Sequence, residues 1–318
     1  MHYRQLGSSG LRCSVVGLGA NNFGGRLDQR QTDAVVHAAL DAGVNLIDTA
    51  DSYGNVGGSE EAVGTAVAKR RDEVVIATKF GSDLRGALGP DLGARASRRY
   101  IRRAVEASLR RLRTDWIDLY QLHRPDGLTP LDETLSALDD LVHEGKVRYI
   151  GSSNLAAWQV VDADWLARER GTVRFVSAQN HFSLLARQAE AELLPACAAH
   201  GVGVLPFFPL ANGLLTGKWR KGSPPPAGSR LAETWAQRLA TEQAFDVVEA
   251  LAGFAESRGV PLVTVAIGAL LAKPAVTSVI AGATSPEQVL ANVAAADWEP
   301  TAEDLAEIDR LTPTPTEV

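Results

Sequence analysis

The chain has 318 residues, 45 % of them hydrophobic, which is enough for one large α/β core. A net charge of −6 without a long basic stripe excludes the electrostatic footprint of a nucleic-acid binder, and no apolar run is long enough to span a bilayer. Met1 opens a polar segment rather than a signal region, and Cys13 and Cys197 lie in apolar contexts without a nearby histidine pair. These features point to buried thiols in a reducing cytoplasm and argue against a metal site.

Residues 2–12 read as a β-hairpin on a glycine turn. Thereafter short apolar runs alternate with amphipathic stretches. A strand at 15–18 precedes a helix at 31–42, with Asp28 as its cap. A strand at 44–47 leads to a helix at 60–69, opened by Gly-Gly-Ser-Glu. The strand at 74–78 is followed by a loop rich in Gly, Pro and Arg. Ser97 then caps a helix running to Leu112, whose arginines read as a solvated face. Strands at 117–122, 147–150, 175–178 and 202–206 are separated by helices at 131–143, 155–168 and 189–200. After 206 comes a long polar loop with Pro224-Pro225-Pro226, which reads as a lid. Helices at 241–258 and 262–272, a last strand at 276–280 and helices at 286–296 and 302–311 complete the pattern.

Eight short, continuously apolar strands, each with helix after it, are expected where both sheet faces are buried. Strict alternation over this length predicts an α/β fold, a closed (β/α)₈ TIM barrel with an N-terminal hairpin. A doubly wound open sheet is the alternative. No linker marks a second domain, so 1–318 reads as one domain.

In such a barrel the C-terminal strand ends crowd one mouth, and polar groups collect there. Strand two is followed by Asp48 and, five residues on, Tyr53. Strand three ends on Lys79 and strand four on His123. Strands five and six end in Gly151-Ser152-Ser153-Asn154 and Gln179-Asn180. Singly, each has an ordinary reading: a cap, a solvated charge, a structural histidine. Together they suit carbonyl reduction. Hydride arriving at a carbonyl carbon leaves charge on the oxygen, which takes up a proton. Tyr53 can donate it, Lys79 favours the phenolate and lowers its pKa, Asp48 holds Lys79 charged, and His123 orients the carbonyl.

The motifs Asp48-Thr-Ala-Asp-Ser-Tyr53-Gly, Ala77-Thr-Lys79, Gln121-Leu-His123 and Gly151-Ser-Ser-Asn154 resemble those of the aldo-keto reductase family in order and spacing, with an overall pattern like its channel β-subunit branch. The resemblance runs from the hairpin to the last helix. It implies the barrel, an NADP(H)-linked interconversion of carbonyl and alcohol, and the tetrad in the roles above. It also implies that Ser153, Asn154 and Gln179 hold a nicotinamide carboxamide and that Phe207 stacks on the ring where tyrosine is usual. Leu210, Gly213, Leu215, Thr216, Gly217 and Lys218 match the segment over the pyrophosphate, with Lys218 and Arg230 as phosphate contacts. Gly282, Thr284, Gln288 and Asn292 fall at the adenosine end. Many members carry lysine at the position of Gly282 and arginine at that of Gln288. NADPH is still favoured, through a helix N-terminus after Thr284 and Ser285, with NADH as the alternative.

At the substrate mouth the sequence places Asn21, Phe23, Arg124 and Phe208, with Trp219 as a further wall. Asparagine and arginine there suggest a polar carbonyl substrate, such as a sugar or an anionic aldehyde. Two alternatives belong beside this reading. One is a sugar or alcohol dehydrogenase running toward oxidation; the other is a cofactor-binding regulatory subunit with little turnover.

Overall fold

The computed structural model describes residues 1–226, 229–233, 237 and 240–313. Positions 227 and 228 of the expected lid, and 314–318 at the end of the chain, lie outside them. The first strands, β1 (Tyr3–Gln5) and β2 (Arg12–Ser14), pair antiparallel around a turn closed by the Leu6 N–H on the Leu11 carbonyl. Leu6 and Cys13 pack with Leu46, Val75, Leu119 and Ile280, residues of four barrel strands. The hairpin thus closes the end of the barrel from which those strands start.

The barrel strands are β3 (Val16–Gly19), β4 (Leu46–Asp48), β5 (Val75–Phe80), β6 (Ile117–Leu122), β7 (Val147–Ser153), β8 (Phe175–Gln179), β9 (Gly203–Val204) and β10 (Val279–Gly282). All pair in parallel in the order β10-β3-β4-β5-β6-β7-β8-β9. Bridges Val204–Val276 and Phe207–Ile280 join the two edges, with Thr277 N–H on Val204 O and Ile280 N–H on Pro206 O. The sheet therefore closes on itself, and the open-sheet alternative falls. Closure also moves the last strand: Val276 makes only an isolated bridge, and the ladder with β3 begins at Val279.

Helices cover the outside. They are α1 (Gln29–Asp41), α2 (Tyr53–Ala66), α3 (Arg98–Leu112), α4 (Leu131–His143), α5 (Ala157–Arg170), α6 (Leu193–His200), α7 (Glu242–Ser257), α8 (Leu262–Leu271), α9 (Pro286–Ala294) and α10 (Ala302–Leu311). Asp28 caps α1 in a box with Gln31, and Ser97 caps α3, as the sequence signals required. The stretch at 189–200 is shorter than its pattern. A separate 3₁₀ turn (Gln188–Glu190) precedes α6, because Pro195 lacks an N–H and fits only in a helix's first turn. The main core lies between sheet and helices. A second cluster joins α7 and α8 to the segment after β9, through Leu214, Leu215, Trp219 and Leu231. That packing holds the segment beside the mouth. Among the described residues no single helix is long and apolar enough to cross a membrane.

Candidate active site

Parallel pairing puts every strand's C-terminal end on one side, and Asp48 stands there in register with Ala77 of β5. Two residues on, Lys79 is completely buried. Its ammonium donates to Asp48 Oδ2 at 2.6 Å and to the Thr49 carbonyl at 2.8 Å. The other carboxylate oxygen, Oδ1, accepts from Gln179 Nε2 at 2.7 Å and Gln121 Nε2 at 3.2 Å. A buried ion pair is tolerated when its remaining valences are met, as they are here. Burial disfavours the Lys79 ammonium, but Asp48 and Tyr53 outweigh that and hold its pKa above the ordinary lysine value.

Tyr53 reaches this pair because of an unusual turn. Gly54, Asn55, Val56 and Gly57 all have positive φ before the regular part of α2 begins. A Cβ on Gly54 would stand 2.5 Å from both the Phe23 carbonyl and the Ser59 N–H, so only glycine fits. Ser59 then ties the turn down, donating to the Ala20 carbonyl and bonding Thr49 Oγ1. The Tyr53 ring lies 5.0 Å from Lys79 Nζ and 5.8 Å edge-on from the His123 ring. Burial pushes the phenol above its ordinary value, and Lys79 pulls it back only in part. The net lowering expected from the sequence is therefore corrected: desolvation outweighs the neighbouring cation.

His123 follows β6 directly. Its N–H donates to the Phe80 carbonyl, and its own carbonyl accepts from Asn154 Nδ2 at 2.9 Å, so its backbone is fixed. Nδ1 lies 2.9 Å from Ser82 Oγ. Burial, then the charges of Lys79 and Arg124, push the imidazole down to about 3, so it is neutral at working pH.

These groups border a cavity of about 750 Å³. Asp48, Tyr53 and His123 line it, with Lys79 behind them. So do Ser153, Asn154, Gln179, Phe207, Leu210, Gly213, Lys218, Arg230, Gly282, Thr284, Gln288 and Asn292, as well as Asn21, Arg124 and Phe208. Gln179 Nε2 is committed to Asp48 and Asn154 Nδ2 to His123, so each keeps its carbonyl oxygen for a ligand. His181 stacks on Phe207 at 5.5 Å, 10° from parallel, and Phe208 meets Phe207 edge-on. Arg230 donates to Asn21 Oδ1 and Asn22 Oδ1, which ties the segment after β9 to the loop after β3. Gln288 Oε1 accepts the Thr284 N–H. At Gly282 an added Cβ would meet nothing nearer than 3.9 Å, so packing does not require glycine there.

Two aromatic side chains stand elsewhere than the sequence placed them. Phe23 is fully buried in the main core and does not line the cavity, because the turn after Tyr53 packs over its loop. Trp219 is buried against Phe245 at 5.1 Å, in the second cluster. Gln121 was given no role beyond its place in a motif, and Ser82 was not singled out. Gln121 shares a face of β6 with His123 by the two-residue period, which was the available signal. Ser82 lies beyond the end of its strand, where no periodicity marks it.

A profile of the Aldo/keto reductase family matches residues 15–313. The chain belongs to the aldo/keto reductase family. Among similar proteins is a probable voltage-gated potassium channel subunit beta from Oryza sativa subsp. japonica, 37 % identical, covering 94 % of this chain and 92 % of the relative. The oxidoreductase YrpG of Bacillus subtilis is 38 % identical over 99 % of this chain and 97 % of its own. The NADH-specific methylglyoxal reductase of Escherichia coli is 36 % identical over 91 % and 92 %. As an aldo/keto reductase the chain is an oxidoreductase that works with a nicotinamide cofactor. The two free carbonyl oxygens at Asn154 and Gln179, beside the aromatic Phe207, suit that group's carboxamide and ring.

Proposed function

We propose that this aldo/keto reductase reduces an aldehyde or ketone to an alcohol with NADPH, and that Tyr53 gives the proton. The observation that carries the reading is the buried Asp48–Lys79 pair behind Tyr53, with a neutral His123 facing the tyrosine. A bound nicotinamide supplies the hydride. Asn154, Gln179 and Ser153 would hold its carboxamide, and Phe207 would cover one ring face. His123 donates a hydrogen bond to the carbonyl oxygen and fixes it beside Tyr53. As hydride reaches the carbon, Tyr53 passes its proton to that oxygen. Lys79, held by Asp48, stabilises the phenolate left behind. The same steps run in reverse, so an alcohol or sugar dehydrogenase would use identical residues.

Arg124, Lys218 and Arg230 line the cavity, against one carboxylate among its described lining residues, Asp48, which is already paired; Arg26 lines it too, but pairs with Glu233 at 3.5 Å. This excess of cations suits a phosphorylated cofactor and a polar or anionic carbonyl. Lys218 and Arg230 are the proposed phosphate contacts. Ser285 makes no side-chain cap on α9, whose first residue, Pro286, has no N–H. The N–H groups of Ser285 and Gln288 beside it are the donors proposed for the 2′-phosphate, with the Glu287 carboxylate as a neighbour that weakens the site. Gln288 already takes the Thr284 N–H. The preference for NADPH over NADH is therefore modest, about tenfold, the size of one good hydrogen bond. We read the buried thiols of Cys13 and Cys197 as fitting a cytoplasmic protein of one domain.

Titration with NADPH and NADH, followed by turnover on a panel of aldehydes, tests the reading. Equal affinities overturn the cofactor choice. Tight NADPH binding with no turnover on any carbonyl favours a regulatory role, in line with the relatives named as channel subunits.

A further inference from the structure

We propose that Ser82 is a positioning residue that fixes the tautomer of His123: its hydroxyl donates to Nδ1 and leaves the imidazole N–H on Nε2. The inference rests on His123 as the carbonyl's hydrogen-bond donor. A neutral imidazole carries one N–H, so its two nitrogens are never both donors. Which nitrogen faces the substrate as a donor is set by what the other one does.

Ser82 Oγ, 2.9 Å from Nδ1, is the one hydrogen-bond partner of the His123 ring among the described residues, and Oγ has no other partner among them. Two assignments are open. If Nδ1 carried the proton and donated to Ser82, the serine hydroxyl would have no acceptor in the protein. Nε2 would then present a lone pair to the cavity and repel a carbonyl oxygen. If Ser82 donates instead, its proton has an acceptor and Nε2 presents N–H. Only the second assignment gives the serine proton an acceptor among the described residues and leaves a donor for the carbonyl. Ser82 is itself well placed to hold this geometry. Its carbonyl lies 3.5 Å from the buried Tyr100 hydroxyl, and its side chain borders the cavity beside His123.

The ring is fixed at its backbone independently of Ser82, through Phe80 and Asn154. Removing the hydroxyl therefore frees the tautomer without releasing the residue. The chain has six histidines, few enough to resolve by NMR with isotope-labelled histidine. The spectrum of the wild-type protein should show His123 with a protonated Nε2 and a bare Nδ1, its signals assigned by their loss in His123→Ala. In Ser82→Ala they should move toward a mixture of tautomers. In parallel, kcat on an aldehyde should fall about two- to twelvefold, the worth of one neutral hydrogen bond, and Kd for NADPH should stay constant. Ser82→Thr, which keeps a hydroxyl, should restore both. A wild-type spectrum with the proton on Nδ1 overturns the proposal. So does Ser82→Ala with an unchanged tautomer, whatever its rate. Full activity of His123→Ala would instead count against the reading of His123, and the tautomer spectra of wild type and Ser82→Ala would still judge Ser82 separately.

Discussion

Replacing Lys79 by methionine keeps length and flexibility while deleting the ammonium. The structure allows its effect to be sized. Lys79 Nζ stands 5.0 Å from the centre of the Tyr53 ring. At the effective dielectric constant that describes protein sites, about 20, a unit charge at that distance stabilises a phenolate by about 3 kcal/mol. Transition-state arithmetic converts this to a loss of about two orders of magnitude in kcat if the full charge is felt, and less if proton transfer is only partial. The sign of the pH effect also follows. Lys79 holds the phenol down against burial, so without it the alkaline limb of the kcat profile moves to higher pH. Lys79→Met also strands the Asp48 carboxylate in the core, and breaking a buried pair from one side costs about 3–5 kcal/mol of stability. The double variant Lys79→Met with Asp48→Asn removes both charges and separates the two effects. Its thermal midpoint should recover toward wild type while its kcat stays low. The assay is steady-state turnover with saturating NADPH and an aldehyde across pH, beside thermal unfolding. If the single variant kept kcat within about threefold of wild type, or the double variant restored it, the electrostatic role of Lys79 would be refuted.

Two further substitutions probe groups around this centre. Asp51 is buried with no side-chain hydrogen bond to its carboxylate among the described residues, and burial, with the Glu60 charge, pushes its pKa well above the ordinary value. The folded chain thus keeps a proton that the unfolded chain releases above about pH 4, and the stability this group contributes is lost as pH rises from there. The stability of Asp51→Asn relative to wild type, from urea melts, should grow between about pH 4 and about pH 8, and a flat difference would contradict the assignment. Arg124 lines the mouth beside His123 and has no partner among the described residues. Arg124→Gln should lower kcat/KM for para-carboxybenzaldehyde about tenfold more than for benzaldehyde, the scale of a hydrogen bond to a charged group. Equal losses on the two would remove Arg124 from substrate recognition.

What the sequence disclosed follows from how a closed barrel is built. Because strands buried on both faces are continuously apolar, a polar residue at the end of such a run stands out, and Asp48, Lys79 and His123 were legible on that ground. Tyr53 was legible through its glycine neighbour, since Gly54 announces a turn that no other residue can make. The edges of strands were less so: the last one slides from Val276 to Val279 because closure against β9 decides its register. Side chains in loops were hardest. Nothing local separates Phe23, which drops into the core, from Phe208, which faces the cavity. The balance of forces on Tyr53 was also out of reach. A sequence shows that a lysine is near a tyrosine, but not that the tyrosine is buried deeply enough for desolvation to outweigh the lysine's charge. Ser82 escaped because its role exists only through a contact across two loops.

Substituting Tyr53 by phenylalanine tests the central claim most directly, since it removes one oxygen and leaves the ring against Lys79 and His123. Single-turnover reduction of an aldehyde by the Tyr53→Phe variant preloaded with NADPH should be slowed by at least about a hundredfold, the low end of what a positioned general acid contributes. NADPH affinity should be that of wild type. A Tyr53→Phe protein that binds NADPH normally and reduces the aldehyde at the wild-type rate would contradict the account.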